Sequence, residues 1–113
     1  GDITITSEGG SATMQLQQGL AKALAKLDVD AVIDESLNVS SATDNSTGNF
    51  SITLTNNMSS SVHIALTGSG NTKHSQANES ARTTSVGSIL NFNNSHVYAD
   101  GNDMNFAMHG DLA

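Results

Sequence analysis

The sequence predicts a mainly β domain, a β-sandwich or similar sheet-rich subunit, with one N-terminal amphipathic helix over residues 12–27. Three observations lead there. Apolar and polar residues alternate through most of the chain, the period of a strand with one buried face. Ser, Thr and Asn make up about a third of the 113 residues, while Lys, Arg and aromatics are scarce and proline is absent; about six prolines would be average at this length. Between residues 12 and 27 the apolar spacing changes to the helical period.

Residues 2–6, DITIT, alternate strictly, with Ile3 and Ile5 on one face of a short strand. Gly9 and Gly10 break it as a flexible tether. Leu16, Leu20, Leu24 and Leu27 then fall on one helical stripe with Ala23, among strong helix formers. Ser11 suits the N-cap, and Lys22 and Lys26 suit the C-terminal end. Val29, Ala31, Ile33, Leu37 and Val39 return to period two, interrupted at Glu35, as one bulged strand or two short ones. Residues 41–48 read as a loop. Phe50, Ile52 and Leu54 alternate, as do Val62, Ile64 and Leu66, and the NNMSS between them predicts a hairpin of strands 50–55 and 61–66. A polar stretch at 67–81 reads as turns. Val86, Leu90 and Phe92 form a strand, Val97 and Tyr98 another, and Met104, Phe106 and Met108 a last one.

Residues 1–10 are expected to be an N-terminal extension and 11–113 a single domain. The expected core includes Leu16, Leu20, Leu24, Leu27, Phe50, Ile52, Leu54, Val62, Ile64 and Leu66. A faint repeat of 37 residues links Ser51-Ile52 and Asn56-Asn57 with Ser88-Ile89 and Asn93-Asn94.

The formal charge of −7 argues against nucleic acid, whose phosphates need Lys and Arg. It equally disfavours an anionic membrane surface, and no apolar run is long enough to span a bilayer. Cysteine is absent, which removes disulfides, thiolate metal sites and cysteine nucleophiles. A first residue of Gly rather than Met suits a mature secreted chain or a tag scar, and the expected location is extracellular or at the cell surface.

No nucleophile elbow, phosphate loop or HExxH motif occurs, so the chain reads as no enzyme, with no cofactor and no transition-metal site. The four histidines, His63, His74, His96 and His109, lack ligand spacing. Asp100 and Asp103, flanking Gly101, are a weak calcium candidate, since oxygen donors in a glycine turn suit that ion. Six Asn-x-Ser/Thr sequons begin at Asn38, Asn45, Asn49, Asn57, Asn78 and Asn93. They are candidate glycosylation sites where the source permits it.

Residues 49–66 hold strands without charge or proline, the devices by which monomers blunt exposed edges. The segment NNMSSSVHIALTGSGNTKHSQANESA, with its surroundings over about residues 45–100, resembles the strand-turn-strand segments of secreted bacterial fibre subunits of the curli-like and Fap-like class. The leucine-striped helix departs from that pattern and points instead to a folded subunit that polymerises by strand exchange, as in donor-strand pili. The resemblance implies a structural subunit of an extracellular filament or biofilm fibre whose partner is another copy of itself. Ile3 and Ile5, tethered by Gly9 and Gly10, would be the donor strand, adding to a neighbour and not closing on their own subunit. The alternatives are a glycan- or calcium-dependent adhesin module and a viral coat protein.

Overall fold

The computed structural model describes residues 3–113, apart from the side chain of Gln18; the predicted strand's Asp2 lies outside the described residues. The chain is mainly β. Among the described residues ten strands are present: β1 (Thr4–Thr6), β2 (Thr13–Gln15), β3 (Ala23–Leu27), β4 (Ile33–Leu37), β5 (Val39–Ser46), β6 (Asn49–Leu54), β7 (Ile64–Gly68), β8 (Lys73–Ala77), β9 (Val86–Asn93) and β10 (Met104–His109). Two four-stranded antiparallel sheets, β4-β3-β10-β7 and β5-β6-β9-β8, share one core, and β1 and β2 form a separate hairpin. The radius of gyration is 15.6 Å, above the ~13 Å of a compact domain this long.

The predicted helix at 12–27 is absent. Only one helical turn, Leu16–Gly19, separates β2 from β3. The physical reason lies in β3, where Ala23, Ala25 and Leu27 are buried while Leu24 and Lys26 face solvent. The register sets Ala23 opposite Met108, Ala25 opposite Phe106 and Leu27 opposite Met104. Small residues on β3 thus accommodate large ones on β10. Alanine's helix propensity of a few tenths of a kcal/mol yields to that packing and to a full ladder of backbone hydrogen bonds. Leu20 and Leu24 are therefore exposed and Leu16 is half-buried, whereas Leu27 belongs to the core.

Phe50, Ile52 and Leu54 of β6 point inward, where they meet Ile89, Met104, Phe106 and Met108. The partner of β6 is not the 61–66 segment. It lies between β5 and β9, and β7 belongs to the opposite sheet beside β10. This corrects the expected hairpin and inverts the facing of β7: His63 is buried, whereas Val62 is 77% exposed and Ile64 and Leu66 also face outward. It also explains the missing charges on β6, since a central strand has no free edge to protect.

The sequence repeat falls on the two central strands of the second sheet, with Ser51 directly opposite Ser88. The Ser88 hydroxyl donates to the Phe50 carbonyl at 3.0 Å. Residues read as loop at 41–48 and 67–81 contain most of β5 and all of β8, whose side chains are polar because their outer faces are wet. The Val97-Tyr98 segment contributes only an isolated bridge from Tyr98 to Phe92.

Two asparagines hold the sandwich's corners. Asn38, at φ 57°, turns β4 into β5. Its Nδ2 donates to the carbonyls of Lys22 and Asn56, both at 3.0 Å, and its Oδ1 accepts the Asn56 N–H at 2.7 Å. Asn91 is fully buried; its Nδ2 donates to the Ala99 carbonyl at 2.8 Å and its Oδ1 accepts from Ser69 Oγ. Its backbone N–H donates to the Gly48 carbonyl at 2.8 Å, tying the β5–β6 turn to β9, while its carbonyl accepts the Ala99 N–H from the loop that follows.

Candidate functional site

The β1–β2 hairpin is amphipathic. Ile5 stands opposite Met14, and the Leu16 N–H donates to the Ile3 carbonyl at 2.7 Å, extending the ladder so that Ile3 opposes Leu16. Four apolar residues thus share one face. Thr4, Thr6, Thr13 and Gln15 occupy the other, where Gln15 Nε2 donates to Thr4 Oγ1 at 3.2 Å. Ile3, Ile5 and Met14 are all exposed, Ile3 at 61%. Contrary to expectation, β1 closes on its own chain, through β2. The turn spans Ser7 to Ala12, with Gly9 at φ 74° and the Ser7 N–H donating to the Ala12 carbonyl at 2.8 Å. Gly9 and Gly10 therefore form a hairpin turn rather than a tether. The sequence does not mark Met14 and Leu16 as a strand face, because Leu16 also fits the helical stripe and Met14 stands outside it.

A second apolar surface lies on the outer face of β4-β3-β10-β7. The register aligns Leu37, Leu24, Ala107 and Leu66 in one row crossing all four strands. The three leucines are exposed. Below them runs a polar row of Glu35, Lys26, Asn105 and Gly68. The two rows floor an open groove of about 630 Å³. Lys26 Nζ lies 3.2 Å from both Asp34 Oδ2 and Asp103 Oδ1. Its hydrogen bond to Asp34, followed by that to Asp103, raises its pKa above the usual lysine value. Being exposed, these ion pairs add little to stability.

The calcium candidates are already engaged. Asp100 Oδ1 accepts the Gly48 N–H at 2.8 Å, and Asp103 pairs with Lys26. Among the described residues no group of three or more His, Cys, Asp or Glu side chains is placed to hold a metal ion. The sequons divide by geometry. Asn38 has committed its Nδ2 to two carbonyls, and Asn45 Nδ2 donates to Ser51 Oγ at 2.7 Å and reaches Asn49 Oδ1 at 3.4 Å. Asn78 accepts from Ser80 Oγ, and Asn93 accepts the N–H groups of Ser95 and Val97. Asn49 is half-buried and Asn57 exposed.

His63 is buried, its Nε2 3.3 Å from the Thr83 carbonyl. Burial lowers its pKa below the usual histidine value; the Thr83 carbonyl opposes this, and the nearby Arg82 charge adds to it. With the folded pKa below the unfolded one, protonation favours the unfolded chain. Stability from neutral His63 is intact above about pH 6.5 and drains away as pH falls through the lower folded value. The melting temperature is expected to drop between about pH 7.5 and pH 5, and less steeply in His63→Gln. Parallel thermal-melt slopes for the two proteins would exclude His63 as the source.

Phe92 stacks on both His96 and Tyr98, with centroids 4.4 and 4.9 Å away, which covers the outer face of β9. No helix among the described residues is long and apolar enough to cross a membrane. No family model, curated protein or solved structure matches the chain.

Proposed function

We propose that the chain is a structural subunit of an extracellular self-assembling filament, polymerising through its N-terminal β element. One observation carries the reading: the amphipathic hairpin and the leucine row are both apolar and both uncovered within a single chain. An isolated two-stranded hairpin is at best marginally stable in water, so this one is expected to gain its stability from another surface. Docking the Ile3, Ile5 and Met14 face of one copy on the Leu37, Leu24, Ala107 and Leu66 row of the next removes both from water. Each isoleucine contributes about 1.5–3 kcal/mol when fully buried. The two surfaces differ, so the contact is head-to-tail and, if it does not close into a ring, extends into a filament.

The test is Ile5→Asp, at an exposed position that leaves the sandwich untouched. Wild-type protein is expected to form filaments by negative-stain microscopy, and Ile5→Asp to keep its circular dichroism while forming none. Wild-type protein that remains monomeric at high concentration would end this reading.

A further inference from the structure

His63 is a buried titratable group for which filament assembly has no use. It is 5% exposed, and its Nε2 lies 3.3 Å from the Thr83 carbonyl. A carbonyl can only accept, so Nε2 carries the proton there and Nδ1 is left as a bare acceptor. Nδ1 is buried and has no hydrogen-bond partner among the described residues.

Three segments meet at this residue. The first is the end of the β6–β7 connection, residues 57–63. The second is the 82–85 loop before β9: Arg82 Nη1 donates to the His63 carbonyl at 3.1 Å, and the Thr84 carbonyl accepts the Met58 N–H at 2.7 Å. The third is the stretch 110–113 after β10. Its Asp111 carbonyl accepts the Ser59 N–H at 2.8 Å, its Ala113 N–H donates to the Asn57 carbonyl at 2.9 Å, and Leu112 bridges to Met58. Gly110 packs against the same place, since a Cβ there would lie 2.9 Å from Met58 Cε and 3.4 Å from His63 Cβ. All of these bonds lie outside the ladders of the two four-stranded sheets.

The charges around the ring are few. Residues 45–72 contain no Asp, Glu, Lys or Arg, so the first segment supplies none. The 82–85 loop supplies Arg82. From β10 and the stretch after it come His109, opposite Ile64 in the ladder, and Asp111, which is exposed. Among the described residues no carboxylate hydrogen-bonds either ring nitrogen.

We infer that His63 is the pin of an acid-released clasp: protonation at Nδ1 frees residues 57–63 from the 82–85 loop and from residues 110–113 while both sheets stay folded. A second ring proton turns Nδ1 from an acceptor into a donor that faces no acceptor. It also sets a positive charge beside the Arg82 guanidinium. An unmet buried donor and an unpaired buried charge are both costly. Turning the ring out to water removes both costs and gives up only the bonds just described, which makes the opening local. Burial holds the closed form's pKa below the usual histidine value. The open form titrates at the ordinary one, so the clasp is shut above about pH 6.5 and opens as pH falls through the lower value. The device uses neither the hairpin nor the leucine row, so it stands or fails independently of the filament reading.

The test is amide hydrogen exchange by NMR on the full chain carrying Ile5→Asp, which gives single chains whether or not the wild type assembles. Exchange is read at about pH 7.5 and about pH 5, alongside titration of the His63 ring nitrogens. At the lower pH the amides of Met58, Ser59 and Ala113 are expected to lose their protection, corrected for intrinsic rate, as Nδ1 takes up its proton. Amides in the β6–β9 and β3–β10 ladders should keep theirs. With His63→Gln added, a side chain neutral throughout, the three amides should behave alike at both pH values. If that variant does not fold, the parent's ring titration set against its own amides still decides. Protection retained at the three amides while Nδ1 protonates would overturn the clasp. So would loss of the ladder amides at the same pH, which is unfolding of the whole domain, or an equal acid loss in His63→Gln.

Discussion

Leu27→Asp is expected to abolish folding, while Leu20→Asp and Leu24→Asp leave the far-ultraviolet circular dichroism and melting temperature close to wild type. All three leucines sit on the same stripe of the helix predicted from sequence, and a helix would make their substitution about equally damaging. In the strand the stripe is split. Leu27, on β3 opposite Met104 of β10, is 0% exposed, whereas Leu24 is 43% exposed on the outer face. A carboxylate at Leu27 would lie among the apolar side chains of the core, costing several kcal/mol. That is a large part of the roughly 5–15 kcal/mol by which a domain is stable. At Leu20 or Leu24 the new charge stays in water, and the effect is about 0.5 kcal/mol or less. Loss of structure in Leu20→Asp would restore the helix and refute the strand assignment.

Gly48→Ala is the second large effect. Gly48 lies in the β5–β6 turn at φ 70°, where an L side chain costs about 1–2 kcal/mol. A Cβ there would sit 2.5 Å from the Asn91 carbonyl oxygen and 2.8 Å from the Ala99 nitrogen. Both are backbone atoms, and the Asn91 carbonyl already accepts the Ala99 N–H at 3.1 Å. Relief would require moving the corner that Asn91 ties together, so the total is expected to reach about 3 kcal/mol or more. The melting temperature should fall by roughly 10 °C or more. Gly9→Ala is the control: its φ is 74°, but nothing lies within 4 Å of the added carbon. Strain there stays in the hairpin, and the sandwich should melt as before. Equal melting shifts in the two variants would mean that the Gly48 contact does not govern the fold.

The strands legible from sequence were those with one buried face and one wet face. β6 and β10 alternate cleanly, and their Phe50, Ile52, Leu54, Met104, Phe106 and Met108 all face the core. β5 and β8 look like loops in the sequence because their Ser, Thr, Asn and Gln side chains leave period two without an apolar signal. β3 resembles a helix for the opposite reason. Its buried residues are Ala, Ala and Leu, which two periodicities fit equally well over a few turns, and the neighbouring leucines favoured the wrong one. Only the presence of Phe106 and Met108 across the ladder distinguishes them, and that is a contact between residues some 80 positions apart in the chain.

The candidate surfaces were legible only in part for the same reason. Ile3 and Ile5 stood out by alternation alone, a local property that one strand carries in its own sequence. Facing, by contrast, belongs to the assembled sheet. A shift of one residue inverts every side chain, so no local pattern could say that Val62, Ile64 and Leu66 point to solvent and His63 to the core. The leucine row needs the registers of four strands drawn from residues 24, 37, 66 and 107. By itself the sequence determined the β class, the acidic charge and the charge-free stretch at 45–72, because composition and short-range periodicity are properties of the chain. Tertiary structure decided which strands are central and which are edges. Strand order depends on long-range pairing, and pairing is settled by the joint burial of residues that the chain keeps far apart.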